Sequence, residues 1–194
     1  MNQKTVTLAG WLSMVSAFAS IPLAYLAFKL EGDAEQAAAM GLLTIQVVGV
    51  LLFVVILLLL KKYLKHFFGF QQTNRSIDVM ILSNVVASVC VIGGLFIPPF
   101  KEIAGIAALA LMVFGGVVQI RFGYQLLKLP DSLGGMLKPF CYLNMATGIC
   151  QATVVLVLVG VVVSAISDLM LATIFFTLGS HFKTGGQAEK NVLD

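Results

Sequence analysis

The chain has 194 residues, of which 59% are hydrophobic and 11% charged, with a formal net charge of +3 and a mean hydropathy of +1.00. Soluble domains carry about 25% charged residues, so this composition excludes an ordinary water-soluble globular protein. The apolar residues suffice for five or six membrane spans of about 20 residues each, and too little chain remains for an extramembranous catalytic, nucleotide-binding or DNA-binding domain of about 50 residues or more.

Charge-free windows cover 5–28, 36–60, 79–100, 103–120 and 139–182, the last interrupted only by Asp168. They predict an all-α integral membrane protein: a single polytopic domain over 1–194, with spans near 6–28, 40–60, 77–97, 103–126, 138–160 and 163–182, arranged as a bundle of three hairpins. Residues 183–194 form a short tail. The first window opens like a secretory signal, with Lys4, an apolar run and Ala17-Phe18-Ala19. That run continues through Phe28, longer than the core of such a signal, and is read as a retained helix with a possible kink at Pro22. It carries two stripes of small residues, Ala9/Ser13/Ala17 and Ser16/Ser20/Ala24. Small residues let helices approach closely in lipid, which provides no hydrophobic drive for their association.

The second span ends in Lys61-Lys62-Tyr63-Leu64-Lys65, a basic stop-transfer run suited to anionic lipid headgroups and too short to imply nucleic acid. Pro98-Pro99 and Pro130 end the third and fourth spans. The last window of 44 residues exceeds one crossing of roughly 30 Å and fits two, with the turn expected between Gly160 and Asp168, where Ser164, Ser167 and Asp168 provide capping chemistry. Aromatic residues including Trp11, Tyr63, Tyr124 and Phe140 fall near the expected span ends, as interfacial rings do.

Lys and Arg placement sets the expected orientation. With the N-terminus in the cytoplasm, ten basic residues fall in inside segments, and only Lys29 and Lys101 fall outside. A five-span chain would put Lys183 and Lys190 outside and weaken the bias, so six spans with both termini cytoplasmic are expected, in a bacterial-type inner membrane.

Within the spans, Asn84, Gln119 and Asn144 are expected at similar depth, with Gln46 and Gln151 deeper or nearer the outside. Together they make a polar belt, either interhelical glue or the lining of a pathway. Asn84-Val-Val-Ala-Ser-Val-Cys90 and Asn144-Met-Ala-Thr-Gly-Ile-Cys150 share Asn and Cys at one spacing, a faint sign of a duplicated hairpin. Asp78 and Arg121 are a candidate ion pair on one side of the membrane, and Asp168 is a candidate carboxylate of the outer-face turn. His66 and His181, at the cytoplasmic ends of spans two and six, are weak haem-ligand candidates. No metal or cofactor is expected. Cys90, Cys141 and Cys150 lack the paired spacing of zinc or redox motifs and read as small apolar residues. Zincin, nucleophile-elbow, P-loop and dinucleotide motifs are all missing, so catalysis is not expected, with a membrane redox subunit as the residual enzyme alternative. The chain is therefore read as a channel- or transporter-like protein for a small solute or ion. The alternative is a non-catalytic scaffold or accessory subunit. Its expected partners are the lipid bilayer and either further copies of itself or a partner membrane protein.

Overall fold

A computed structural model describes residues 3–31, 36–129 and 135–190. Among them are six α-helices and no strands: α1 (Gln3–Glu31), α2 (Gln36–Phe68), α3 (Asn74–Phe96), α4 (Lys101–Leu126), α5 (Leu137–Ala152) and α6 (Val157–Lys190). A single 3-10 turn, Pro98–Phe100, joins α3 to α4. All of these helices except α5 are long and apolar enough to cross a membrane, which makes the chain a multi-pass membrane protein.

The expected fifth span does not form as drawn. Instead of running over 138–160, α5 stops at Ala152 after 16 residues, about 24 Å of helix against roughly 30 Å of hydrocarbon. The turn occupies Thr153 to Leu156, ahead of the expected Gly160 to Asp168. No Gly or Pro marks it. The Thr153 hydroxyl donates to the Cys150 carbonyl, a local bond that competes with continued helix. Val154 then takes φ +57°, the left-handed position after a helix end that glycine usually fills. Gly160 serves instead in packing: a Cβ there would stand 3.0 Å from Cys150 Cβ, so its bareness lets α6 fold back against α5.

Each helix packs on its sequence neighbours and α6 returns to α1, while across the middle no backbones approach closely among the described residues and contact is made by large side chains such as Tyr63 on Phe175. The six therefore close into a ring. Contacts between the expected hairpins, α4 with α5 and α6 with α1, are as extensive as those within them. At the first of these seams two backbones touch: a Cβ on Gly116 would meet the Gly148 carbonyl oxygen at 2.6 Å, and the reverse distance is the same. At the second, Ala9, Ser13 and Ala17 are buried, Gly10 lies against the Phe176 ring, and Trp11 meets that ring edge-on at 5.6 Å.

Large side chains fill the ring at one end, where α1, α3 and α5 begin and α2 and α4 finish. Tyr63, Ile77, Phe122, Leu126, Phe140 and Phe175 form this plug. Tyr63 and Phe140 thus point inward and do not belong to an interfacial belt. Outward faces carry apolar groups such as Ile106, Leu158 and Val155, as lipid contact requires.

Two stability predictions follow from the seam and the turn. Gly148→Val lowers detergent-solubilised stability by about 1–3 kcal/mol through overpacking, whereas Gly105→Ala, whose Cβ meets open space within α4, holds or raises the melting temperature. Val154→Gly, relieving a β-branched residue of a left-handed backbone that costs about 1–2 kcal/mol, raises the melting temperature; a fall would overturn that account of the turn.

Candidate functional site

Inside the ring, above the plug, lies a cavity of about 460 Å³ to which every helix contributes. A side chamber of about 170 Å³ between α2, α3, α4 and α5 shares Gln46, Asn84, Gln119 and Gln151 with it. The plug forms the floor: Leu60, Phe122, Phe140 and Leu171 belong to the buried core or the cavity lining at the same place. Toward the other end the walls are smaller, with Ala24, Ala27, Gly49 and Gly160.

All five amides expected in the polar belt, Gln46, Asn84, Gln119, Asn144 and Gln151, line this cavity. Their bonding divides them. Gln119 Nε2 donates to Asn144 Oδ1 at 3.3 Å, and Asn144 Nδ2 donates to Ser167 Oγ at 3.0 Å and to the Phe140 carbonyl at 3.1 Å. This network ties α4, α5 and α6 together. Gln46 Nε2 donates to Ser88 Oγ at 2.7 Å, and Ser88 in turn donates to the Asn84 carbonyl, tying α2 to α3. Asn84 Oδ1 is buried and has no partner among the described residues. The two asparagines of the expected repeat therefore both face the cavity, one satisfied and one not.

Asp168 is not at a turn. It stands eleven residues inside α6, because the chain reverses earlier, at 153–156, and the stretch expected to turn is helix. Its Oδ2 accepts a 2.7 Å hydrogen bond from Ser16 Oγ on α1, and it lines the cavity one turn above Leu171. Of the two small-residue stripes of α1, Ala9/Ser13/Ala17 is buried, and Ser16, Ser20 and Ala24 line the cavity.

The expected Asp78–Arg121 pair is replaced. Asp78 accepts an ion-paired hydrogen bond from Lys61, and Arg121 is exposed on α4. The reason is helix length: α2 runs on to Phe68, past the expected end at residue 60, and carries Lys61 alongside the first turns of α3. His66 sits near the end of α2 with its ring edge-on to Phe67 at 5.2 Å; the side chain of His181 lies outside the described residues. Among the described residues no three His, Cys, Asp or Glu side chains gather where a metal would need them. Cys141 and Cys150 are buried and Cys90 is half-buried, all within helices.

Sequence reasoning missed the serine partners. Ser16 and Ser167 were assigned to packing and to a turn, and Ser88 was not singled out. The signal was available for Asp168 alone, as the one charge in a window of 44 residues. Chemically, the site is a ligand-sized chamber with amide and carboxylate oxygens on apolar walls, and among the described residues no histidine, cysteine, lysine or arginine lines it. No family model, curated protein or solved structure matches the chain.

Breaking the network is expected to cost more than breaking the ion pair. Asn144→Leu lowers thermal stability by roughly 0.6–1.7 kcal/mol, the range of interhelical polar contacts in membranes. Asp78→Asn, whose partners are 57% and 29% exposed, costs less than about 1 kcal/mol and less still in high salt; equal losses would refute this ranking.

Proposed function

We propose that this protein conducts a small solute or ion across a bacterial-type inner membrane, with the ring's polar cavity as its central binding chamber. The observation that carries this reading is the closure of six helices around a chamber to which all five belt amides and an intramembrane carboxylate turn. Polar groups used solely as glue have no reason to line a void; a chamber of this volume matches ordinary small-molecule sites of about 300–1,000 Å³. Ionisable residues within a bundle mark substrate or ion routes by default.

Basic-residue placement orients the ring with both termini cytoplasmic. α5 and α6 enter and leave on one side, so the short α5 does not alter the side on which the chain ends. The aromatic plug then lies at the cytoplasmic end, and the chamber faces outward in this state. A transporter that opens the plug after loading fits this arrangement better than a permanently open pore.

The test is thiol accessibility. Single cysteines replace Asn84, Gln119, Asn144 or Gln151 in a chain lacking Cys90, Cys141 and Cys150, with Leu109→Cys on the exposed face of α4 as the lipid control. Membrane-impermeant maleimide is expected to label the cavity positions from the outer side of intact cells, more slowly from inverted vesicles, and to spare position 109. Asn84→Leu, which removes an unpartnered amide, is expected to abolish liposome flux while the protein still inserts and purifies. Four unreactive positions would overturn the pathway and leave the belt as dry packing, the signature of a scaffold or accessory subunit.

A further inference from the structure

We infer that the chamber takes a monovalent organic cation, an amine or quaternary ammonium, with Asp168 as its counter-ion; this rests on reading the cavity as the solute site. Three observations converge. Among the described residues Asp168 is the sole ionisable side chain in the lining, and Ser16 occupies only its Oδ2, leaving the second oxygen without a hydrogen bond among them. The basic residues at the helix ends do not reach it: Lys29, Lys101 and Arg121 are exposed, and Lys61 is held by Asp78.

Hydrogen bonding in the chamber also leaves room for a cation. The side-chain nitrogens of Gln46, Gln119 and Asn144 all donate within the protein, as does the Ser16 hydroxyl. Acceptor oxygens are left over, above all the buried, unpartnered Asn84 Oδ1. A guest that brings positive charge satisfies Asp168 and these oxygens together, whereas an anion would face a carboxylate.

Size and wall chemistry then choose among cations. A bare hard divalent ion is commonly held by several carboxylates, and among the described residues no three His, Cys, Asp or Glu side chains gather. A volume of about 460 Å³ bounded by Phe53, Phe122, Phe140, Met80 and Met112 suits an ion with its own apolar surface, since aromatic faces attract organic cations. Pairing with Asp168 neutralises the guest and offsets the large cost of a lone charge in the bundle.

Equilibrium dialysis of the full chain in detergent with radiolabelled benzyltrimethylammonium tests this. Saturable binding is expected to wild type, with loss of about tenfold or more in affinity for Asp168→Asn, equivalent to about 1.4 kcal/mol. Asp168→Glu, which keeps the charge, is expected to stay within about tenfold of wild type and decides the matter should the Asn variant not fold. Neopentylbenzene, the uncharged isostere, is expected not to displace the label. Absence of saturable binding, equal binding by Asp168→Asn, loss of binding in Asp168→Glu, or displacement by the isostere would each overturn the proposal. Chamber cysteines that label while wild type ignores the cation would leave the pathway standing and remove the cation; binding in a chain whose cysteines stay unlabelled would keep the site and remove the through-path.

Discussion

Hydrocarbon offers no water, so every polar group carried into it must be answered from within the protein. That constraint organises this chain. Helices satisfy the backbone, and the side chains of Gln46, Gln119, Asn144 and Asp168 are answered across helices by Ser88, Asn144, Ser167 and Ser16. The bonds run α2 to α3, α4 to α5, α5 to α6 and α6 to α1. Four of the six seams of the ring are thus tied by polar contacts that face its interior.

Close backbone approach makes those bonds reachable. Gly116 against Gly148 brings α4 and α5 together, which places Gln119 on Asn144 one turn further along. Gly160 against Cys150 does the same for α5 and α6, and aligns Ser167 with Asn144. Where α1 meets α6, Gly10 lies against Phe176 and Gly179 against Thr7, and Ser16 reaches Asp168 further along. At the seams of α4 with α5 and of α5 with α6, a glycine contact that provides proximity is paired with a polar contact that fixes register.

The ring is asymmetric along its axis. Bulky rings and branched chains fill one end, while toward the other alanines and glycines are interspersed among the aliphatic side chains of the wall. A hollow closed on one side and polar in its middle is a chamber with a floor, and movement of a few aromatic side chains or a tilt of α5 and α6 would alter its access. The short α5 and its apolar turn, with Val155 90% exposed, put the least securely spanning element beside the network that holds Asn144.

Composition and charge-free windows were enough to establish a multi-pass helical protein, because the bilayer imposes a length and an apolarity that a linear sequence displays directly. The amides that face the cavity were legible for the same reason: few polar residues enter the spans, so each is conspicuous. What the sequence did not display was partnership. Asp78 pairs with Lys61 and not Arg121 because α2 continues past its apolar stretch, and Asp168 lies in mid-helix because a Thr-Val-Val turn without glycine or proline reverses the chain early. Both outcomes depend on where helices end and which faces meet, and these are set by close contacts such as Gly116 with Gly148 between residues distant in sequence. The sequence determined what must be buried in the membrane; the tertiary structure decided which buried groups meet, since that choice rests on packing between helices and not on the period or composition of any one of them.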